Sequence, residues 1–446
     1  MGIDVVYVTY NSAKWIHPCF SSWENQPERS SVSVFIADNG SADETLKELE
    51  EAELRMGGSF AEFHIYRGEE NCGFGAANNI AASHGKSEFL CFLNIDTEVQ
   101  KDTLEQLFQY IDQSPATVGM WELRQFPFEH PKFYDPVTLE TTWASGAAFV
   151  IRRKVYEEVG GFDTHFFMYA EDVDLSWKVR EAGYKILYCP KALIKHHSYS
   201  KRGEIKPLQY GYSMRNNLLM RQRYGTAKDV FQGWILVLKL LLTNQLGWSF
   251  NKEFLKIVCG FFRERKYFSP VENNRKEAFF HGLNYSKMRY GAFQETGVIT
   301  RKSVPIWTFL LSEDPEKTAI VKQCMTNQTV PSKGLNVIKR LPEAAEFLES
   351  NADLDGVWIN IICEENRVFA DHNEFLADMA CEDCSVVGTV DENGQRGQNL
   401  SYYLFDLTFY QLNKQCFLDD DRAFLAEKCC SCSKTGEKQT VYVEYL

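Results

Sequence analysis

The chain has 446 residues, 44 % of them hydrophobic and 24 % charged, with a formal net charge of −13. This length suggests two domains, and the composition is that of a globular protein. No stretch is dominated by Lys and Arg, which excludes a dedicated nucleic-acid binder but not an anionic small substrate held by local cations or a metal ion.

The N-terminus runs directly into Ile3-Asp4-Val5-Val6-Tyr7-Val8 with no basic leader, so a cytoplasmic protein with thirteen free thiols is expected. Val5–Val8 and Val34–Ala37 read as buried parallel strands, each ending in polar turn residues. Ser41-Ala42-Asp43-Glu44 has the pattern of a capping box, and Leu46, Leu49 and Leu54 mark the apolar face of the helix it opens. Phe89–Leu93 is another strand, leading into Asn94-Ile95-Asp96. A helix with Leu104, Leu107, Phe108 and Ile111 on one face follows. The alternation predicts a layered α/β domain, in which ligands bind beyond the carboxyl ends of the strands. Asn11, Asp38, Asn39 and Asp96 all fall at such ends.

Gly160-Gly161 breaks the next helical segment, and an aromatic run, Phe166-Phe167-Met168-Tyr169, leads into Glu171, Asp172 and Asp174. Carboxylates at a helix start offset the helix dipole, which is one reading of the group. A general base walled by aromatic rings is the other. From about 207 to 292 the sequence reads as helical. Trp234–Leu242 is too short to span a bilayer and contains Lys239, so it suits a core helix or one lying on a membrane surface.

Several motifs together carry a family resemblance. They are Val8-Thr9-Tyr10-Asn11, Ala37-Asp38-Asn39-Gly40-Ser41, Asn71 to Asn79 around Gly73 and Gly75, Leu93 to Val99, Ser145-Gly146-Ala147-Ala148, the block from Gly160 to Leu175, and Ala192 to His197. In this order they resemble the inverting family-two glycosyltransferases of the GT-A fold, most of all the bacterial rhamnosyltransferase type, over about residues 1–225. The resemblance implies an α/β GT-A (Rossmann-like) catalytic domain over 1–225. A helical connector over 226–300 and a smaller C-terminal α/β domain over 301–446 complete the expected organisation.

The resemblance also implies an activity: transfer of a sugar, with rhamnose the leading choice, from a dTDP- or UDP-linked donor to a hydroxyl of a glycan or lipid-linked glycan acceptor. A galactofuranosyl- or glucosyltransferase of the same fold, or a non-catalytic sugar-nucleotide binder or scaffold, is the alternative. Asp172 is the expected base, with Glu171 toward the acceptor and Trp143, Ser145 and Gly146 beside the sugar. Thr9, Tyr10, Asn11, Asp38, Asn39, Gly73, Asn78 and Asn94 are expected on the donor, with Lys201 and Arg202 closing over its diphosphate. The family's D-x-D motif stands here as Asn94-Ile95-Asp96, leaving Asp96 as the carboxylate for Mg²⁺ or Mn²⁺. His196 is the expected second ligand, with His197 its competitor. Contact with the inner face of the membrane and assembly into a homo-oligomer are compatible with this scheme.

The second half contains an echo of the first. Val5–Asn11, Asn25-Gln26 and Val34–Ile36 are matched without gaps, at an offset of 302, by Trp307–Glu313, Asn327-Gln328 and Asn336–Ile338. Arg340 then stands at the place of Asp38, and a further match of Trp358–Ile361 to Phe92–Ile95 puts Ile362 at that of Asp96. A second GT-A-like domain without donor or metal site is the expectation. Cys381-x-x-Cys384 and Cys429-x-x-Cys432 have zinc-like spacing but lie far apart, so thiols are favoured over a zinc module.

Overall fold

The computed structural model describes residues 2–127, 129–130, 132–197, 207–243, 248–271, 280, 282–283, 285, 305–351, 356–363, 368–374, 386–387 and 402–420. The chain forms two compact units: Met1–Tyr134 with Glu140–Met288, and Asp135–Leu139 with Arg289–Leu446.

The first unit is built on strands β1 (Ile3–Thr9), β2 (Val32–Asp38), β3 (Glu62–Arg67), β4 (Phe89–Leu93), β5 (Thr97–Val99), β6 (Val118–Phe126), β7 (Glu140–Thr141), β8 (Ala148–Arg152) and β9 (Lys185–His196). Their order is β3-β2-β1-β4-β8-β6-β9-β5, with β7 also on β9. The β1, β2, β3 and β4 contacts are parallel, whereas β8 runs antiparallel to both β4 and β6. Central strands covered on both faces must be apolar on both, and β1 and β2 are buried almost throughout. Their alternating side chains feed two cores. Val5, Tyr7, Val34 and Ile36 pack with Leu49, Leu104 and Leu107. Val6, Phe35 and Phe92 pack with Ala77, Ala81 and Leu175 on the other face.

Helices α1 (Ala13–Ser22), α2 (Thr45–Met56), α3 (Phe74–Ala82), α4 (Thr103–Gln113), α5 (Arg153–Glu158) and α6 (Glu171–Glu181) join these strands. Two local expectations need correction. Ser41 does not cap α2, because its hydroxyl and backbone N–H are committed to the Asp38 carboxylate; the helix starts four residues later, where Asp43 accepts the Thr45 N–H at 3.0 Å. Leu54 is 88 % exposed, and the buried face of α2 is Thr45, Leu49, Ala52 and Met56.

Helices α7 (Pro207–Tyr224), α8 (Ala227–Thr243), α9 (Trp248–Cys259) and α10 (Phe261–Glu264) belong to this same unit. Met214, Leu218, Val237, Phe254 and Phe261 from these helices share one core with Phe166, Val173 and Trp177 at the start of α6. Among the described residues no helix is long and apolar enough to cross a membrane.

The second unit has strands β10 (Ile306–Leu311), β11 (Gly334–Ile338), β12 (Trp358–Cys363), β13 (Val386–Val387) and β14 (Tyr402–Asp406), in the order β11-β10-β12-β14-β13. The first two pairings are parallel and the last two antiparallel. The run β2-β1-β4-β8-β6 of the first unit has the same order and directions. Helices Pro315–Thr326, Leu341–Ser350 and Leu407–Leu418 also belong to this unit. The ungapped echo is out of step with the pairing: Val5 faces Val34, but Trp307 faces Gly334 rather than Asn336. A two-residue shift keeps each side chain on its face, so the apolar pattern survives it.

Candidate active site

The acidic cluster sits at the start of α6, on a backbone held in an unusual shape. Tyr169 (φ 70°) and Ala170 (φ 71°) are consecutive left-handed residues, a conformation that costs L-residues about 1 kcal/mol each. Tertiary contacts hold the pair. The Asn216 amide on α7 donates to the carbonyls of Met168 (2.8 Å) and Tyr169, and the Phe74 N–H donates to Phe167 O at 2.9 Å. Gly73 permits this approach: at its φ of 94°, an added Cβ would lie 2.6 Å from Phe167 O.

Asp172 is thereby aimed at the loop before β8. Its Oδ2 accepts the Gly146 N–H at 2.7 Å, and its Oδ1 accepts the Val173 N–H at 2.8 Å. Burial raises its pKa above the usual carboxylate range; these two N–H groups and the nearby Lys132 ammonium pull the other way. Glu171 is buried, and its pKa is raised further, by burial first and the Asp172 charge second. Asp174 is wholly buried. It takes Arg223 Nη1 at 2.6 Å and the Tyr224 hydroxyl at 2.9 Å.

A buried ion pair stands near Asp172. Lys132 Nζ contacts Glu122 Oε1, which also accepts the Ser145 N–H at 3.0 Å, and the ammonium lies 4.3 Å from the centre of the Trp143 ring. Ser145 and Trp143, expected beside the sugar, are thus braced from below. Burial holds His130 neutral by lowering its pKa to about 4, and pushes the Glu129 carboxyl up to about 7.

The opposite side of the site is the end of β4. The Asn94 N–H donates to Ala147 O at 2.9 Å, so the loop that touches Asp172 through Gly146 touches this strand end through the next residue. β5 pairs antiparallel with β9, placing Thr97 opposite His196. His196 Nδ1 lies 2.8 Å from Gln125 Oε1. A carbonyl oxygen there assigns the proton to Nδ1 and leaves Nε2 with its lone pair. Nε2 is buried without a hydrogen-bond partner, 3.4 Å from Asp96 Oδ1. An imidazole lone pair beside a carboxylate suits a divalent ion, although no group of three metal-ligating side chains occurs among the described residues. His197 is engaged elsewhere, with Nε2 2.5 Å from Glu98 and its ring stacked on Trp15, which favours His196 over it.

The residues expected on the donor nucleotide lie at the ends of β1 and β2. Thr9 Oγ1 donates to Asp38 Oδ1 at 2.9 Å, and the Ser41 N–H donates to Oδ2 at 3.1 Å. Asn11 (φ 50°) ties the two strand-end loops, accepting the Ala42 N–H and donating its own to Ser41 Oγ. Asn39 donates to Asn71 Oδ1 and accepts the Cys72 N–H, fixing the loop before Gly73. Asn78 is buried and bonded within α3 to Phe74 O, whereas Tyr10 is 48 % exposed. Lys201 and Arg202 lie outside the described residues.

Sequence reasoning missed Glu122, Gln125 and Lys132, and gave Asn216 no role. Polar residues on a buried strand were a signal for the first two. The strained pair that Asn216 holds leaves no trace in the sequence, because neither Tyr169 nor Ala170 is a glycine.

Comparison with known proteins finds matches over the first unit. The profile described as Glycosyl transferase family 2 matches residues 4–175, and Glycosyl transferase family group 2 matches residues 132–252. The N-acetylglucosaminyl-diphospho-decaprenol L-rhamnosyltransferase of Mycobacterium tuberculosis is 25 % identical over 246 residues, covering 45 % of this chain and 78 % of that protein. The O-antigen chain rhamnosyltransferase of Salmonella anatum is 28 % identical over 234 residues, covering 46 % and 69 %. Both profiles fall on the unit that holds Asp96, Asp172 and His196: that unit carries a glycosyltransferase family 2 domain, and its relatives include rhamnosyltransferases.

Proposed function

We propose that the first unit transfers a sugar, with rhamnose the leading choice, from a dTDP- or UDP-linked donor to a hydroxyl of a glycan or lipid-linked glycan acceptor in surface polysaccharide synthesis. The names of the relatives support this choice. Asp172 takes the proton of the acceptor hydroxyl as that oxygen bonds to the anomeric carbon. The bond from that carbon to the diphosphate oxygen breaks in the same displacement, so the configuration inverts. A raised carboxyl pKa suits a group that must hold the proton it accepts. Asp96 and His196 would hold Mg²⁺ or Mn²⁺, which when bound supplies positive charge to the departing diphosphate. The carrying observation is the short loop that gives the Gly146 N–H to Asp172 and the Ala147 carbonyl to Asn94, tying base and metal side together.

The second unit, on this reading, is a copy of the same topology without donor chemistry, serving acceptor binding or assembly. A thermal-shift panel of dTDP-, UDP- and GDP-sugars, with and without Mn²⁺, tests the donor assignment. A metal-dependent shift with dTDP or UDP is expected; no shift with any of them would contradict it.

A further inference from the structure

α8 carries apolar residues on two sides, and among the described residues only one of those sides joins a core. Gly233 and Val237 are buried, and Val230, Trp234, Leu240 and Leu241 join the core beneath. Phe231 (65 % exposed), Ile235 (51 %), Leu238 (56 %) and Leu242 (76 %) form a stripe at i, i+4, i+7 and i+11 on the other side. The apolar surface continues beyond this helix: Phe262, 59 % exposed, stacks on Trp234 at 5.4 Å. Single exposed apolar residues are ordinary, whereas a row of this length marks a surface that something covers.

Charge identifies the covering. Residues 227–267 hold five Lys and two Arg against Asp229, Glu253 and Glu264, a net charge of +4, which leaves −17 on the rest of the chain. Two of the three acids are engaged locally, Asp229 with Thr226 and Glu264 with Arg263. Lys228, Lys239, Lys252, Lys256 and Lys266 are exposed. A second copy meeting this face by two-fold symmetry would set like charges together. An anionic lipid surface has the opposite charge and accepts apolar side chains to the depth of one helix face. We propose that the α8 stripe and its flanking lysines dock the protein on the surface of an anionic bilayer, α8 lying in the interface. This goes beyond the transfer reaction and does not depend on it.

Co-sedimentation of the full chain with phosphatidylcholine vesicles, with and without phosphatidylglycerol, tests the proposal. Binding at least ~10-fold tighter to the anionic vesicles, and weakened by salt, is expected. Ile235→Glu with Leu238→Glu should weaken it by ~10-fold or more. Lys252→Glu with Lys256→Glu should remove the anionic preference, and both variants should keep the wild-type response to nucleotide. Equal binding to both vesicle types, or unchanged binding by both variants, would overturn the proposal. So would a wild-type dimer that dissociates in the Ile235→Glu/Leu238→Glu variant while vesicle binding stays unchanged, because the stripe would then belong to a second copy.

Discussion

The two sheets share a strand order and differ at their strand ends. In the first unit the last pair of β1 and β2 is Thr9 with Asp38, and β4 runs out at Asn94 with Asp96 two residues on. In the second, the last pair of β10 and β11 is Leu311 with Ile338, and β12 carries Ile361 and Ile362 before Cys363. Interior patterns alike enough to give the same topology therefore coexist with opposite chemistry where a ligand would bind. Topology follows from which faces must be buried; function rests on a few residues past the ends of the strands.

Several experiments would break or sharpen this contrast. The largest effect is expected from Asp172→Asn, which should lower the transfer rate by about 10²–10⁴-fold. The nucleotide-induced thermal shift should remain, since Asp172 is not at the nucleotide end. The wild-type rate should also rise with pH through the raised Asp172 pKa, as the base form appears only above it.

Removing the orienting carbonyl by Gln125→Leu frees the His196 tautomer, and a loss of about 10–100-fold in Mn²⁺ affinity is predicted, read by titrating metal into the protein with nucleotide present. Gly73→Ala should destabilise the protein by about 1–3 kcal/mol in denaturant unfolding and lower the transfer rate, because its Cβ meets Phe167 O and its φ is positive.

Glu171→Gln is a test by sign. A carboxyl whose folded pKa is raised stabilises the fold below its unfolded pKa, and that stabilisation is lost as pH rises through the folded pKa. The Gln variant should thus gain in melting temperature relative to wild type as pH increases; a gap independent of pH would contradict the burial argument.

The smallest effect on activity belongs to the second unit. Asp314 caps the helix Pro315–Thr326 through the Glu316 N–H at 2.8 Å, so Asp314→Ala should lower stability by about 1 kcal/mol. Transfer per folded molecule should be unchanged if this unit carries no donor chemistry.

Much of the first sheet was legible in the sequence. β1, β2 and β4 are continuous apolar runs ending in Asn or Asp, and burial on both faces allows little else. Asp172 and His196 stood out through their motifs, and the structure sets Asp172 against the Gly146 N–H and His196 beside Asp96. Their supports were less legible, because hydrogen bonds such as Gln125 to His196 and Asn216 to Tyr169 join residues 71 and 47 positions apart. Local pattern also misled at Leu54, where helical spacing alone does not say which apolar residue meets the sheet. In the echo, counting from Asp38 led to Arg340, whereas the last strand pair in the second unit ends at Ile338; a register shift of two is invisible to an ungapped comparison.

The most direct test of the central claim is turnover of dTDP-rhamnose and UDP-sugars by the full chain, following release of nucleoside diphosphate with an acceptor glycan present, for wild type and Asp172→Asn side by side. The account predicts metal-dependent release by wild type and a loss of at least about 10²-fold in the variant, with nucleotide binding retained. Release at the wild-type rate by Asp172→Asn would contradict it, and would move the catalytic base away from the start of α6.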